Sequence, residues 1–288
     1  MTYLRPVDVA ELVQMRRDHP DWLMVAGGTD VMVPINHGHS RPSGVLDLSQ
    51  VAELRACSVT DEQVHLGAAV TFSRIERELA TAAPALAAAA RTVGSPLVRA
   101  TATIGGNLGT ASPAGDALPV LVATEAEIDI ASVRGRRTVL AVDFFVGPGR
   151  NVLARDEVIT GVRLPSAGET SQEFSKVGVR NAMVISVASV ALVIDWRRHR
   201  VGVGLGSVGP VPLRAPAAEA LLAGQLWDEP AVPGLSQREI DIGAFAEAVA
   251  ASASPIDDLR ATARYRRHVI AVMAARTARW AIKGGMTR

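Results

Sequence analysis

Two double glycines set the terms on which this chain can fold. The first follows an apolar run, Trp22-Leu23-Met24-Val25, and reads Ala26-Gly27-Gly28-Thr29-Asp30. The second lies in "TIGGNLGTASPAGD", which begins at Thr103. Glycine admits backbone angles that other residues avoid and lets another group come close to the main chain. A diphosphate needs several N–H groups turned into one concavity, and a glycine turn can supply them. Thr29, Asp30, Thr103 and Asn107 add side-chain donors and acceptors. Asp116 adds a carboxylate that would accept from a ribose or adenine donor. One such turn is more often only a turn. Two of them, both rich in hydroxyl and amide groups, point to a ligand. The run before the first pair reads as a buried strand. Neither pair reads as the opening of a helix, so a helix N-terminus set against a phosphate is not the expected device.

Composition narrows the classes. The chain has 288 residues, 48% of them hydrophobic, enough for a sizeable core in two domains or in one with subdomains. Net charge is +1, which gives no bulk electrostatic case for nucleic acid or an acidic membrane. The longest apolar stretch, residues 184–194, is too short to span a bilayer. The N-terminus lacks a basic segment followed by an apolar one, so no secretory signal is expected and a cytoplasmic location is the default. Cys57 is the single cysteine. It excludes an intrachain disulfide, and any zinc or iron–sulfur site built from several cysteines of this chain.

Periodicity predicts a helix in "VDVAELVQMRRDHP" with Val9, Leu12 and Val13 on one face. Ser73 to Glu76 has the capping-box spacing that starts another helix. "PALAAAARTVG" and "ALPVLVATEA" read as helices, and "EIDIASVRGRRTVLAVDFF" as a hairpin turning at Arg134-Gly135. "EVITGVRLP" is a strand, and "SAGETSQ" is the best linker. Beyond it three β segments are followed or interrupted by helical stretches at 215–223, 236–252 and 257–283. A boundary near residue 168 follows.

Other patterns carry less. "GLGSVG", residues 204–209, matches G-x-G-x-x-G, but Pro210 and Pro212 prevent a helix there, so it reads as strand and turn. His37 and His39 lie in a segment read as a loop, without nearby acidic or thiol ligands. Cys57 reads as a core or edge residue. No G-x-S-x-G elbow occurs. The last helix carries Leu259, Val269, Val272, Met273 and Trp280 with six arginines. It reads equally as a solvated basic face or as a subunit-docking face.

With these residues in hand, the chain resembles a family. "AGGTD" and "ATIGGNLGTASPAGD" are similar to the two FAD-binding signatures of the flavoprotein, or medium, subunit of molybdenum hydroxylases, the xanthine dehydrogenase and carbon monoxide dehydrogenase group. "DEVITGVRLP", "FSKVGVRNAMVISVASVAL", "LGSVGPVPLRA" and "SPIDDLRATARYRRH" resemble further segments of that family in the same order. The resemblance implies an α+β chain. Residues 1–168 would form a bipartite FAD-binding domain of the PCMH type, built of two α/β subdomains, and residues 169–288 a C-terminal domain of antiparallel sheet and helices. The two loops would close on one FAD diphosphate from two sides. The resemblance assigns Met24, Val25, Ala26, Gly27, Gly28, Thr29, Asp30 and Val31 to the cofactor from the first segment, and Thr103, Ile104, Gly105, Gly106 and Asn107 from the second. Asp116, Ile159 and Lys176 fall where relatives contact the adenosine or flavin parts. Lys176, if beside the ring, would favour reduced flavin by Coulomb attraction. Val93 falls where animal xanthine oxidoreductases carry an aromatic against the isoalloxazine, so a different aromatic, or none, covers the ring here. No catalytic residue and no metal ligand is assigned to this chain.

The implied function is electron transfer. A large subunit would hold molybdopterin and oxidise the substrate, and a small subunit would carry two 2Fe–2S clusters, in a heterotrimer or a dimer of heterotrimers. Electrons would pass through FAD to NAD⁺, oxygen or a quinone. The single cysteine agrees with clusters held elsewhere. "AGGTD" leans toward xanthine-type relatives over carbon monoxide-type ones, and the flavoprotein subunit of a carbon monoxide, aldehyde or N-heterocycle dehydrogenase stands as an alternative. Two other readings stand beside this one: a stand-alone flavin oxidase of related fold, and a module that has lost FAD. The first kind often tethers flavin through His or Cys, and neither signature contains one.

Overall fold

The computed structural model describes residues 2–227 and 240–286. Strands β1 (Thr2–Leu4), β2 (Leu23–Val25) and β3 (Gly44–Asp47) form a parallel sheet in the order β1-β3-β2. Helix α1 (Val9–Asp18) connects β1 to β2. Asp8 caps it by accepting the Glu11 N–H at 2.7 Å, and Val9, Leu12 and Val13 turn inward as their spacing predicts. The strand before the first double glycine is shorter and less buried than expected. All three residues of β2 are half-buried, because Leu23 and Met24 face a cavity. Helix α2 (Met32–Asn36) follows, so part of the segment read as a loop around His37 is helical.

The second lobe opens with β4 (Cys57–Val59) and β5 (Gln63–Gly67). Five helices come next: α3 (Phe72–Glu78), α4 (Pro84–Arg91), α5 (Pro96–Thr101), α6 (Ile104–Thr110) and α7 (Leu118–Ala123). Then come β6 (Glu127–Ser132), β7 (Gly135–Leu140), α8 (Ala141–Phe144), the short ribbon β8 (Phe145–Gly147) with β9 (Arg150–Asn151), and β10 (Val158–Pro165). The antiparallel sheet has the order β4-β5-β10-β6-β7. Its β6–β7 hairpin turns at Arg134-Gly135, with Gly135 at φ +127°. Cys57 is half-buried on edge strand β4. The cap of α3 differs from expectation. Thr71, not Ser73, precedes the helix and accepts the Arg74 N–H at 3.4 Å. The cause is Phe72: with Ile75 it forms the buried i, i+3 pair of α3, so the helix must already include it.

The third lobe holds β11 (Thr170–Val177), β12 (Ala188–Asp195), β13 (Arg200–Gly206) and β14 (Leu213–Arg214), antiparallel in chain order. Helices α9 (Pro216–Trp227), α10 (Ile242–Ala251) and α11 (Ala263–Met286) complete it. Strand β12 is buried on both faces. Ala188, Val190, Leu192 and Ile194 join the core under α10 and α11, while Ala191 and Val193 join the core of the second lobe. The second-lobe partner is α7, whose six residues are all buried. Close contact requires glycine on β13: a Cβ at Gly202 or Gly204 would overlap the carbonyl of Ala123 or Pro119. The "GLGSVG" pattern is thus a smooth strand face against a helix backbone.

The terminal helices are placed differently from their spacing. The helix expected over 215–223 continues to Trp227. Of the stretch 236–252, residues 236–239 lie outside the described residues, and the helix starts at Ile242, capped by Asp241 accepting the Ala244 N–H at 2.9 Å. The helix expected from 257 starts at Ala263. Asp258 folds back to accept the N–H groups of Arg260 and Ala261, which holds this segment in a turn. Leu259 is therefore off the helix and fully exposed, and Val272 and Trp280 face outward. The inward stripe is Val269, Ile270, Met273, Ala274, Ala278, Ala281 and Ile282.

Candidate cofactor site

All three lobes contribute walls to one cavity of about 1540 Å³. That exceeds the roughly 300–1,000 Å³ of ordinary small-molecule pockets. It opens at the C-terminal end of β2, where parallel strands commonly present ligands.

The two double-glycine segments meet here. Thr110, at the end of α6, donates its hydroxyl to Asp30 at 3.0 Å. Gly27 lies against the main chain before α6, and a Cβ on it would overlap the Thr101 carbonyl. Gly28 adopts φ +71°, the left-handed region that favours glycine. The N–H groups of Gly27, Gly28, Thr29 and Asp30 make no hydrogen bond to the described residues. The second segment works differently from expectation, because it does open a helix. Thr103 caps α6, its hydroxyl accepting the Gly106 N–H at 3.0 Å. The Gly105 N–H is bound to the Ala68 carbonyl at 2.8 Å, and that of Ile104 to Val70 at 3.0 Å. These donors are committed to the fold. Gly105 serves close packing, since a Cβ there would sit 2.6 Å from the Ala68 oxygen. Gly106 and Gly109 line the cavity, and a Cβ at Gly109 would meet no protein atom.

Of the residues expected at the site, Met24, Ala26, Gly27, Gly28, Thr29, Asp30, Val31, Val93, Thr103, Gly105, Gly106, Asn107, Asp116 and Ile159 line the cavity. Val25, Ile104 and Lys176 do not. Ile104 is fully buried in the core of the second lobe. Lys176 on β11 instead reaches Asp116, Nζ to Oδ2 at 2.5 Å, and donates to the Thr92 carbonyl at 3.2 Å. Both side chains of this pair are 7% exposed. Burial pushes the Asp116 carboxyl up, and the opposing pull of Lys176 and of the Thr92 hydroxyl does not fully cancel it. The lysine charge is thus neutralised where a lone cation was expected. The aromatic rings on the wall are Trp22 and Phe72, and Trp22 is stacked on His19.

Sequence reasoning missed the wall from the third lobe. Arg266 of α11 donates through Nη1 to the carbonyls of Val187 (2.7 Å) and Ser207 (2.8 Å), and through Nη2 to Asp258 (2.8 Å). Burial raises the Asp258 carboxyl, but the N–H groups of Arg260 and Ala261 and the Arg266 guanidinium outweigh it, holding it at about 2. The legible signal was position: Arg266 precedes Val269 and Ile270 by three and four residues, on the apolar stripe of α11.

Buried polar atoms without partners are uncommon, and each asks for an explanation. Among the described residues, six such side-chain atoms belong to residues lining this cavity: Arg16 Nε, Asn107 Oδ1, Asp116 Oδ1, Ser186 Oγ, Ser207 Oγ and Arg266 Nε. With the open N–H groups at residues 27–30, the cavity is suited to a long ligand carrying many polar atoms. FAD fits that description.

Residues 1–167 match the family of the FAD binding domain in molybdopterin dehydrogenase, and residues 173–281 that of the CO dehydrogenase flavoprotein C-terminal domain. The chain belongs to the FAD-binding medium subunits of the molybdenum hydroxylases. It is 36% identical over 228 residues to the nicotinate dehydrogenase FAD-subunit of Eubacterium barkeri, covering 74% of this chain and 75% of that one. It is 32% identical to the nicotine 6-hydroxylase medium subunit of Paenarthrobacter nicotinovorans, over 96% and 95% of the two chains. Its fold resembles that of a chain of the carbon monoxide dehydrogenase from Hydrogenophaga pseudoflava with a TM-score of 0.87 and 28% identity, over 98% and 97%. This medium subunit is therefore a part of an oxidoreductase, its fold is α+β, and its FAD-binding domain and its C-terminal domain both line the cavity. Among its described residues no helix is long and apolar enough to cross a membrane, and no group of three or more His, Cys, Asp or Glu is placed to hold a metal.

Proposed function

We propose that this medium subunit binds one FAD along the cavity and carries electrons from an iron–sulfur partner subunit to an external acceptor. In this reading a large partner subunit holds molybdopterin and oxidises the substrate, a small one carries the 2Fe–2S clusters, and the assembly is a cytoplasmic heterotrimer or its dimer. The observation that supports it is the meeting of the two glycine segments at Asp30 and Thr110 on one cavity wall. FAD, when bound, supplies the redox chemistry itself.

The chain's residues supply binding and environment. The open N–H groups of Gly27, Gly28, Thr29 and Asp30 turn toward the diphosphate, and Gly106 and Gly109 of α6 leave it room on the facing wall. Asn107 Oδ1 and Asp116 Oδ1 accept from donors on the ribityl or ring portions. Val93, Val98 and Ile159 exclude water without stacking. Lys176 acts on the site as half of an ion pair. The boundary between FAD-binding and C-terminal domains falls near residue 168 in this reading, although both face the cavity.

The more similar relatives carry nicotinate and nicotine in their names. This favours an N-heteroaromatic substrate for the assembly, a class that includes the purines toward which "AGGTD" leans. The acceptor is NAD⁺, oxygen or a quinone. The test is purification of the chain with its neighbours, followed by acid precipitation and metal analysis. The reading expects free FAD in the supernatant, and molybdenum and iron in the companion subunits. Flavin left on the protein pellet favours a stand-alone flavin oxidase, and a colourless chain that refuses FAD contradicts both.

A further inference from the structure

Three open donors of the third lobe lie on one wall of the cavity. Arg266 Nε, Ser186 Oγ and Ser207 Oγ each lack a partner among the described residues. Their residues are 4%, 2% and 8% exposed, and all three line the cavity. They form one unit. Arg266 Nη1 holds the carbonyl of Ser207 at 2.8 Å and that of Val187, the residue after Ser186, at 2.7 Å. The guanidinium is thereby fixed, with Nε–H as its open donor. Asp258 offsets its charge at 2.8 Å. A neutralised wall of this kind suits neutral oxygen acceptors better than a phosphate.

The wall is joined to Asp116 through the main chain. The Ser207 N–H donates to the Pro113 carbonyl at 2.9 Å, and Ser207 itself is held at φ +63°, uncommon for a residue with a side chain. Pro113 leads directly to Ala114, Gly115 and Asp116, all on the cavity wall. Asp116 Oδ1 is an open acceptor, and Asp116 lines the same cavity. Donors from Arg266 and the two serines, set beside a carboxylate acceptor, complement a cyclic imide: two carbonyl oxygens flanking an N–H. The pyrimidine edge of a flavin presents that pattern, whereas an adenosine diphosphate does not.

We infer that Arg266, Ser186 and Ser207 bind the pyrimidine edge of the flavin, with Asp116 facing its imide N–H. The C-terminal domain then distinguishes flavin from other adenine nucleotides. This rests on the FAD reading above.

The test uses the full chain, stripped of nucleotide and titrated with FAD and, separately, with ADP, which shares only the adenosine diphosphate half. Ser186→Ala and Ser207→Ala are made singly and together; they leave the Arg266 clamp intact. The double variant should weaken FAD about tenfold, the expected scale for two lost hydrogen bonds, and leave ADP affinity unchanged. Its melting temperature without ligand should be unchanged or higher, because removal of an unpaired buried hydroxyl orphans nothing. Unchanged FAD affinity overturns the inference, and so does equal weakening of FAD and ADP, or a fall in melting temperature without ligand. Wild-type chain that binds ADP but not FAD overturns it too. Wild-type chain that binds neither overturns the FAD reading itself, and this inference with it.

Discussion

Thr110 donates to Asp30 at 3.0 Å across eighty positions of chain and so joins the two double-glycine segments directly. The contact is partly exposed, and its stabilising effect alone is small. Its consequence is geometric: it fixes the open N–H groups of residues 27–30 against α6. Each segment without the other is half a cradle.

Gly27, Gly105 and Gly109 separate into two kinds. Gly27 and Gly105 have main-chain atoms where a Cβ would go. Gly27→Ala and Gly105→Ala should each destabilise the chain by about 2 kcal/mol or more, as overpacking does. Gly109 has open space there and lies in a helix. Gly109→Ala should raise stability by up to about 1 kcal/mol, since alanine is the better helix former, and should weaken FAD because the added methyl projects where the ligand lies. Thermal melts with and without FAD distinguish the two kinds. A Gly109→Ala chain that gains stability and binds FAD as wild type contradicts a ligand role for that glycine.

Gly204 is of the first kind but does not line the cavity. Its Cβ would overlap the Pro119 carbonyl of α7. Gly204→Val should lower the melting temperature of the ligand-free chain by forcing β13 off α7, at a cost of about 3 kcal/mol. Whatever part remains folded should bind FAD with near wild-type affinity. A specific loss of FAD affinity at unchanged stability would restore the fingerprint reading of "GLGSVG".

Lys176 and Asp116 should behave as one unit. Lys176→Met leaves a buried carboxylate unpaired, which destabilises at neutral pH by about 3 kcal/mol. Asp116 already has a raised pKa, so it is the protonated form that burial favours. The loss in Lys176→Met should therefore shrink as pH falls and Asp116 takes up a proton. Adding Asp116→Asn should recover most of the stability at neutral pH. Equal, additive losses in the two single variants would contradict the pairing. Where the pH is low enough for Asp116 to have taken up a proton, the negative charge goes with the deleted positive one, so the flavin potential there should move little in Lys176→Met. An isolated lysine beside the ring would shift it far more.

Asp258 has the opposite sign. Its folded pKa of about 2 lies below the ordinary aspartate value of about 4. Its ionised form therefore stabilises the fold above about pH 4, and that contribution is lost as pH falls toward about 2. Asp258→Asn should flatten the acid limb of a stability–pH curve measured by denaturant unfolding across that window. A limb of unchanged slope would mean that the Arg260, Ala261 and Arg266 contacts do not persist in solution.

The fold was largely legible because its signals are local. The Val9, Leu12, Val13 face, the Arg134-Gly135 turn and the strand before Pro165 all follow from periodicity and turn chemistry. The first glycine segment was legible for the same reason. The helix opened by Thr103 was not, because glycine at the second and third helical positions masks a cap that the threonine hydroxyl and the buried Ile104 enforce. The start of α11 was misplaced because Asp258 spends its acceptors on a turn instead of a first helical turn. Arg266, Ser186 and Ser207 come together only through the third sheet, and no local pattern joins residues so far apart. An arginine on an apolar helical stripe was the one trace they left.

The most direct test of the two-loop cradle is a titration of nucleotide-free full chain with FAD, repeated for Asp30→Ala in the first segment, Gly106→Ala in the second, and the pair. Saturation at one FAD per chain is expected, with weaker binding in each single variant and a non-additive loss in the pair. Absence of saturable binding, or affinity untouched by changes in either segment, would contradict it.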